Sequence, residues 1–543
     1  MHYMSDDHNY GKGGSPLFSL ENVSFRYPDT TVALHEVSLN IYPGDRIALV
    51  GRNGSGKTTL VKLLSGLLGC SEGTVWYKER PLDEAALGEL RLKAGVLFQD
   101  PDDHLFCNSL DEDVAFGPMN QGLDETTVNS RVVEQLAVVG LESLRYKPAH
   151  LLSYGQKKRA AFAAIMAMNP EILILDEPTA NLDPRQERVF KELLRQYTGT
   201  LIIIDHDLLF LYDLCERAVV MSCGTIHHDY SFDRLVSQRD SLREHGLDFT
   251  FRFSCCGSHQ TVHVHHHHHQ THEHHSGAIH VPTPETQPPL MELQHYFFRY
   301  TDGTPGLCDV NLIIRTGDTL ALVGENGAGK STLAGCLLGL NQGKGYFFYN
   351  GRPVTPAVRK TLWRQIGMVF QNSADQLFSP SCREEVAFGP RQMGIKGEPL
   401  RLRVEEALGR VHLGEYIDKV PLNMSGGERK RLAIAAALSM HPEMLILDEP
   451  TAGLDPHGEE LLIEILENLG LTTIIITHDL YFIERLSTRA IVMHQGALIR
   501  DYRTTDFLTD DHLQSVNGLD YSYKSDCGRR IMALQNHSHN VEE

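Results

Sequence analysis

Two stretches of sequence decide the fold: GRNGSGKTT at residues 51–59 and GENGAGKST at residues 324–332. Each one follows a short apolar run, RIALV or TLALV, and precedes an apolar stretch with helical spacing. This order of strand, glycine-rich turn and helix is typical of a loop whose backbone amides surround phosphate groups. Because the match occurs twice in the same context, the sequence predicts two phosphate-binding loops.

The rest of the chain repeats in register with these loops. LSYGQKKR at residues 152–159 returns as MSGGERKR at residues 424–431, and ILILDEPTANLDP returns as MLILDEPTAGLDP. Asp176 in the first copy recurs 272 residues later as Asp448. Self-similarity over the length of a whole domain indicates two copies of one fold.

Composition divides the chain into five segments. The two copies are predicted at residues 17–248 and 290–501. Between them, residues 249–289 contain HVHHHHHQTHEHH followed by VPTPETQPP. Sequence this rich in histidine and proline cannot build a core, so we interpret it as a flexible linker. Short tails are predicted at residues 1–16 and 502–543.

Each copy has the pattern of an α/β fold. Buried strands such as ILILD and LIIID alternate with helical stretches, which predicts a largely parallel sheet with helices on both faces. The opening stretch LFSLENVSFRY alternates in the manner of antiparallel strands, and residues 100–160 are predicted to be mostly helical. We expect the last strand of each parallel sheet to end at His206 or His478.

The glycine loops carry residues suited to hold a nucleotide. A lysine at this position reaches the β- and γ-phosphates, which assigns Lys57 and Lys330. The next residue places a hydroxyl on Mg²⁺, which assigns Thr58 and Ser331. The cofactors predicted by these loops are therefore ATP and Mg²⁺.

Carboxylates follow a buried strand in each copy. Asp176 and Asp448 end their strands, where a carboxylate beside the phosphate loop can hold Mg²⁺ through water. Glu177 and Glu449 come next, and a carboxylate there can orient and polarise an attacking water. The sequence therefore predicts ATP hydrolysis at both sites.

A third motif makes the chain resemble ABC ATPases specifically. That family carries an LSGGQ-like signature before its Mg²⁺-binding strand, and this chain has LSYGQ and MSGGE. The resemblance covers both copies but neither the linker nor the tails. It implies two tandem P-loop ABC ATPase domains, each with a RecA-like, mostly parallel core, an antiparallel β subdomain and a helical subdomain.

The resemblance also implies how the two copies cooperate. The halves would pair head to tail, with each ATP held between the phosphate loop of one and the signature of the other. Site one would combine Lys57 with Ser425, and site two would combine Lys330 with Ser153. Tyr154 stands where the family usually has glycine, which bears on the geometry of site two.

The residues implied by the resemblance fall into three sets. The catalytic residues, with histidines that contact the γ-phosphate, are Glu177, Glu449, His206, His478, Gln99 and Gln371. The residues that contact nucleotide, with tyrosines that stack on adenine, are Tyr27, Gly51, Asn53, Gly54, Ser55, Gly56, Lys57, Thr58, Thr59, Ser153, Gly155, Gln156, Asp176, Tyr300, Gly324, Asn326, Gly327, Ala328, Gly329, Lys330, Ser331, Thr332, Ser425, Gly427, Glu428 and Asp448. The residues that contact Mg²⁺ are Thr58, Gln99, Asp176, Ser331, Gln371 and Asp448.

The segment after each glutamine narrows the resemblance further. QDPDDHLF and QNSADQLF, followed by EDVAFGP and EEVAFGP, resemble the ATPases of energy-coupling-factor (ECF) transporters. In that family, arginine-bearing helices of a transmembrane coupling (T) subunit dock in a groove here, and a membrane (S) subunit binds the substrate. Asp102, Asp103 and Asp375 match the acidic positions of the segment. His104 stands where the second copy has Gln376, the residue more usual in the family.

The linker bears on the transported substrate. It contains eleven histidines between His259 and His280. Clustered imidazoles bind transition-metal ions such as Ni²⁺ and Co²⁺ at neutral pH, so metal binding by the linker is one interpretation. Together with LSYGQKKR, which resembles the cobalt branch, it favours a cobalt or nickel importer. The alternatives are a vitamin importer and a soluble tandem ABC translation factor that acts on ribosomes.

Charge and hydropathy bear on partners and location. The 70 acidic and 50 basic residues give a net charge of −20, so no nucleic-acid partner is expected. The sequence lacks an apolar run of about 18 residues or a signal-peptide core. We therefore expect a peripheral protein on the cytoplasmic face of the cell membrane, held there by its membrane subunits.

Overall fold

The computed structural model describes two compact units. The described residues are 14–28, 30–180, 182–245, 247 and 288–510. Most of the predicted linker at 249–289 therefore lies outside the described residues, as do most of the two tails.

The first unit opens with an antiparallel sheet whose strand order is β2-β1-β4-β5. Its strands are β1 (Phe18–Arg26), β2 (Val32–Ile41), β4 (Glu72–Tyr77) and β5 (Arg80–Pro81). Alternate side chains of β1, such as Phe18 and Leu20, are buried, because successive residues of a strand point to opposite faces. The antiparallel subdomain predicted from LFSLENVSFRY is confirmed.

The second sheet of this unit has the order β10-β9-β3-β8-β7-β6. Its strands are β3 (Arg46–Val50), β6 (Ala94–Leu97), β7 (Ile172–Asp176), β8 (Thr200–Ile204), β9 (Arg217–Ser222) and β10 (Thr225–Ser231). All neighbouring strands are parallel except β9 and β10. The expectation that the strand before His206 is the last one is wrong, because β9 and β10 follow it. Most residues of β10, TIHHDYS, are polar and all seven are half-buried, so no apolar run marks this strand.

Helices cover the parallel sheet and form a separate helical subdomain. They are α1 (Lys57–Leu64), α2 (Glu84–Lys93), α3 (Leu110–Asn120), α4 (Glu125–Val138), α5 (Tyr154–Met166), α6 (Pro184–Gln196), α7 (Leu208–Leu214), α8 (Phe232–Ser237) and α9 (Arg239–Glu244). The predicted helical stretch at 100–160 contains α3, α4 and the start of α5. Each of these three helices begins at a side chain that caps the first turn: Ser109, Asp124 and Ser153.

The second unit repeats this architecture with sheet orders β12-β11-β14-β15 and β16-β17-β18-β13-β19-β20. Its strands are β11 (Met291–Arg299), β12 (Pro305–Ile314), β13 (Thr319–Val323), β14 (Lys344–Tyr349), β15 (Arg352–Pro353), β16 (Ile366–Val369), β17 (Met444–Asp448), β18 (Thr472–Ile476), β19 (Arg489–His494) and β20 (Ala497–Arg503). Its helices are α10 (Lys330–Leu337), α11 (Pro356–Arg359), α12 (Cys382–Gln392), α13 (Glu398–Arg410), α14 (Gly426–Leu438), α15 (Pro456–Glu467), α16 (Leu480–Leu486) and α17 (Thr504–Thr509). Here too the strand before His478 is followed by two more, β19 and β20.

The second unit continues past residue 501, where the sequence placed its end. Strand β20 runs to Arg503, and α17 follows it directly. The side chain of Phe507 on α17 is buried, so this helix contributes to the core. Across the described part of the chain, every helix is too short or too polar to cross a bilayer.

The sheet order places the predicted site residues at one edge. Strand β3 lies beside β8, and β8 lies beside β7, all three parallel. The carboxyl ends of parallel strands meet at the same edge of a sheet. The glycine loop after β3, Asp176 at the end of β7 and His206 after β8 therefore converge in the first unit.

Candidate active site

The turn between β3 and α1 has a backbone that only glycine fits. Gly51 has a φ of +147°, and a Cβ at this residue would lie 2.2 Å from the carbonyl oxygen of Met221. Gly56 has a φ of +101° immediately before α1. The equivalent Gly324 and Gly329 have φ angles of +155° and +100°. Both glycine loops thus fold back tightly onto the start of a helix, as a phosphate cradle requires.

A buried lysine lies across each loop. The Lys57 ammonium donates hydrogen bonds to the carbonyl oxygens of Gly51 at 2.7 Å and Arg52 at 2.9 Å. Lys330 makes the same contacts in the second unit, to Gly324 at 2.5 Å and the following residue at 3.1 Å. The positive charge is therefore held inside the cradle, where it can meet phosphate oxygens.

The first cradle also contains a polar atom that suits a phosphate oxygen. The hydroxyl oxygen of Ser55 is buried and has no hydrogen-bond partner among the described residues. A buried hydroxyl without a partner is unfavourable unless a ligand supplies one. The second copy has Ala328 at this position, so this donor belongs to the first unit alone. The remaining predicted cradle residues, Asn53, Gly54, Asn326 and Gly327, lie in the same two turns.

The aspartates at the strand ends lie beside the hydroxyls predicted to hold Mg²⁺. Burial and the neighbouring Glu177 raise the pKa of Asp176 to about 6, although a hydrogen bond from Thr58 opposes this. The Ser331 hydroxyl donates to Asp448 at 2.9 Å, and burial raises the pKa of Asp448. Each unit thus pairs an acidic oxygen with a hydroxyl, which is the donor chemistry that Mg²⁺ prefers.

Two predicted catalytic side chains, Gln99 and His206, meet the carboxylate of a third, Glu177. The side-chain amide of Gln99 donates a hydrogen bond to one carboxylate oxygen at 2.6 Å. The Nε2 atom of His206 lies 3.3 Å from the other oxygen. In the second unit, Nε2 of His478 lies 3.4 Å from a carboxylate oxygen of Glu449. Gln371 follows β16 as Gln99 follows β6, which gives the two glutamines equivalent places in the fold.

The two glutamates differ in their pKa although they lie in equivalent places. Burial raises the pKa of Glu177, but the hydrogen bond and charge of His206 and the charge of Lys57 outweigh it, so the pKa is lowered. In Glu449 burial prevails over the attraction of Lys330 and raises the pKa to about 7. The carboxylate form is therefore favoured more strongly in the first unit.

The two predicted adenine-stacking tyrosines lie beside the helix that follows the glycine loop. The hydroxyls of Tyr27 and Thr59 are 3.1 Å apart, and those of Tyr300 and Thr332 are 2.6 Å apart. The aromatic rings thus border the cradles. Stacking on adenine stays a prediction.

The signature motifs form the starts of α5 and α14. Ser153 caps α5, and its backbone amide donates to the Gln156 side chain at 3.0 Å. Ser425 caps α14 with the same reciprocal bonds to Glu428, at 2.8 Å from amide to carboxylate. Gln156 and Glu428 therefore stabilise their own helix starts, and their contact with nucleotide stays a prediction.

A glycine occupies the second position of each of these helices. A Cβ at Gly155 would lie 2.0 Å from the side-chain oxygen of Gln186, and one at Gly427 would lie 3.4 Å from Leu454. Gly155 is therefore buried against Gln186, and the backbone amides at each helix start give a favourable dipole for an anion.

A family model described as "ABC transporter" matches residues 34–180 and 307–452, more than half of the chain. The chain belongs to this family. As an ABC ATPase, it binds ATP and hydrolyses it, and the fold predicted from the sequence is confirmed.

Two curated relatives are similar over most of their length to this ABC ATPase. Both are named "Putative ABC transporter ATP-binding protein", and they come from Methanosarcina acetivorans and Methanosarcina mazei. Each is 34% identical, over 94% and 92% of this chain and 89% and 91% of the relative. Among solved structures, cbiO1 from Clostridium perfringens, described as part of the ABC transporter complex cbiONQ, is 34% identical. It covers 45% of this chain and 98% of its own, with a TM-score of 0.39.

Sequence reasoning missed three buried residues of this ABC ATPase: a lysine in each unit and an aspartate in the first. Lys158 on α5 and Lys430 on α14 contact the backbone of the predicted catalytic glutamates. The buried Asp205 accepts hydrogen bonds from Thr179, whereas the second unit has Thr477 at its position. The signal for the lysines was available, because they recur at the same 272-residue spacing as the signature motif.

Proposed function

We propose that the chain is the ATP-hydrolysing subunit of an ECF-type importer and that its cargo is cobalt or nickel ions. In this proposal the chain lies on the cytoplasmic face of the cell membrane and is held there by T and S subunits. The single observation that carries the importer role is an exposed pair of phenylalanines that follows Gln99 or Gln371 in each unit.

These aromatic pairs are equivalent in the two units. Phe106 and Phe116 are 63% and 48% exposed, with ring centroids 5.0 Å apart in an edge-to-face arrangement. Phe378 and Phe388 are 67% and 45% exposed, with the same separation and arrangement. Aromatic side chains grouped on a surface are typical of protein–protein contact sites. Their repetition favours a partner that contacts both units in the same way.

Acidic residues border the aromatic pairs. Asp102 is exposed and forms an ion pair with Lys157 at 2.6 Å. Asp103 and Asp375 are also exposed, and Asp375 accepts a hydrogen bond from Asn372 at 2.9 Å. An arginine on a docking helix could pair with Asp103 directly and compete with Lys157 for Asp102. The surface formed by these aromatic and acidic residues therefore offers both apolar contacts and negative charge, which an arginine-bearing helix requires.

The site geometry supports the chemistry that we propose for hydrolysis. Lys57 and Lys330 neutralise phosphate oxygens, and bound Mg²⁺ would supply further positive charge at the phosphates, held by Thr58, Asp176 and their counterparts. Glu177 accepts a proton from the attacking water and is oriented for this by Gln99. We propose that Ser425 completes site one and Ser153 completes site two, each from the opposite half.

The cargo proposal rests on the sequence of the linker. Its eleven histidines offer imidazole nitrogen ligands, which suit Co²⁺ and Ni²⁺ better than they suit a vitamin. Equilibrium dialysis of the full chain with each ion tests this. Micromolar binding that disappears when residues 263–275 are deleted supports a metal cargo, whereas binding weaker than millimolar removes the linker from the argument.

The docking surface gives the decisive experiment for transport. The chain is purified from detergent-solubilised membranes with Phe106→Ser and Phe378→Ser together, and copurifying membrane proteins are quantified. We expect their loss, while the matched exposed residues Leu67 and Leu340, replaced by Ser, retain them. Sedimentation of the wild-type chain with ribosomes, without membrane partners, would contradict the proposal.

A further inference from the structure

A lysine is buried in the same place in both units. Lys158 lies on the signature helix α5, is fully buried, and donates to the carbonyl oxygens of Glu177 at 2.7 Å and Ala180 at 3.2 Å. Lys430 lies on α14 and donates to the equivalent carbonyl oxygens at 3.0 and 3.4 Å. All four acceptors are backbone oxygens of the turn that begins at the predicted catalytic glutamate.

That turn has a backbone conformation that glutamate seldom adopts. The φ angles of Glu177 and Glu449 are +49° and +44°, in the left-handed region. The amide of Glu177 donates to the carbonyl of Ile204 on β8 at 2.8 Å, so the sheet holds one side of the residue. The carbonyl of Glu177 accepts from Lys158 and, at 3.3 Å, from the amide of Ala180. A left-handed residue persists only where its surroundings fix it, and here the lysine supplies the charged bond.

The lysine is retained despite the unfavourable free energy of burying its charge. Burial lowers the pKa of Lys158 and of Lys430 to about 8 in each unit. An apolar residue of similar length would avoid this penalty if the site required only packing. Nearby positions of the same helix start differ between the copies, as Tyr154 and Gly426 do, whereas the lysine does not.

We propose that Lys158 and Lys430 are positioning residues for hydrolysis, each holding the left-handed turn that aims its unit's glutamate at the attacking water. The inference rests on the proposed pairing of sites, in which Glu177 serves site one while Ser153, on the helix of Lys158, serves site two. Each lysine therefore acts on one site, although its helix belongs structurally to the other.

Because each lysine acts on one site while its helix serves the other, a single variant can distinguish loss of glutamate positioning from damage to the helix. Lys158→Met removes the donor and the charge while keeping the length of the side chain. It is placed in a Glu449→Gln background, where site one alone turns over, and in a Glu177→Gln background, where site two alone turns over. We expect kcat of site one to fall about tenfold or more, as loss of a charged hydrogen bond implies, with KM for ATP changed less than twofold. The fall at site two should be at least fivefold smaller.

Further variants complete the test. Lys430→Met should give the reverse pattern, with the larger loss in the Glu177→Gln background, and it serves if Lys158→Met does not fold. Lys158→Gln, whose amide still donates, should recover part of the loss. An unchanged kcat, or equal losses in both backgrounds, overturns the inference and leaves the proposed function intact. Full turnover in the Glu177→Gln, Glu449→Gln double variant overturns the glutamate assignment itself, and the inference with it.

Discussion

The Tyr154 hydroxyl donates a hydrogen bond to the backbone carbonyl of Gln99 at 3.1 Å. Tyr154 is the signature residue that departs from the glycine usual in the family, and Gln99 is the residue whose side chain contacts Glu177. At the equivalent Gly426, a Cβ would have one neighbour within 4 Å, the carbonyl oxygen of Gly453 at 3.9 Å. This position therefore accommodates a side chain, and in the first unit the Tyr154 side chain connects the signature helix α5 to the segment that contains Gln99.

Replacement of Tyr154 by Phe should weaken this tie without changing the packing of the ring. Loss of a neutral hydrogen bond lowers the free energy of unfolding by about 1 kcal/mol. The chain has two tryptophans, so urea unfolding followed by Trp76 fluorescence in a Trp363→Phe background reports on the first unit. We also expect a fall in site-one turnover of about two- to tenfold in the Glu449→Gln background. No change in either quantity would show that the bond has no influence on Gln99.

Single replacements of the two glutamates should each leave partial ATP turnover. Glu177→Gln and Glu449→Gln remove one carboxylate at a time, and the other unit keeps its own glutamate and histidine. We expect steady-state ATPase assays at saturating Mg²⁺-ATP to show residual activity in both single variants and none in the double variant. If one replacement abolished all hydrolysis while the other had no effect, the sites would not be equally competent.

The first unit should lose stability at acid pH through His104. The Nε2 atom of His104 accepts a hydrogen bond from the amide of Phe98 at 3.0 Å, as the Gln376 side chain accepts one from Phe370 at 3.2 Å. Burial lowers the pKa of His104, although Asp103 and Asp100 oppose it.

The sign of the effect follows from this pKa. The folded pKa lies below the unfolded value of about 6.5, so the contribution is complete above that pH and is lost as the pH falls. The free energy of unfolding of His104→Gln should rise relative to that of the wild type as the pH falls from 7.5 to 5.5, measured by unfolding of the first unit. A constant difference between the two proteins across this range would contradict the prediction.

Replacement of Gly155 by Ala should destabilise the start of α5 through one identified contact. The added Cβ would lie 2.0 Å from the side-chain oxygen of Gln186. Overpacking of this kind lowers the free energy of unfolding by about 1–3 kcal/mol. Because the obstacle is a side chain, the double variant with Gln186→Ala should recover most of the loss in the same unfolding assay. Gly51→Ala is the matched control, since its obstacle is the backbone oxygen of Met221 and no side-chain replacement can remove it.

The sequence by itself determined the features that depend on neighbouring residues. The glycine loops and the buried strands that end at Asp176 and Asp448 are each specified within about ten residues. Strand β10 was not predicted, because its half-buried residues lack an apolar run. The end of the second unit was placed too early, because the burial of Phe507 on α17 depends on distant residues.

Only the tertiary structure decided how these pieces meet. Gln99 contacts Glu177 across 78 residues of chain, and Lys158 contacts the same glutamate from a different helix. The order of strands in the sheet creates both contacts, since it brings the ends of β6, β7 and β8 to one edge. The same folding buries Glu449 enough to raise its pKa to about 7, while His206 and Lys57 lower the pKa of Glu177. Local sequence is nearly the same in both copies, so the difference arises from burial and charge in three dimensions.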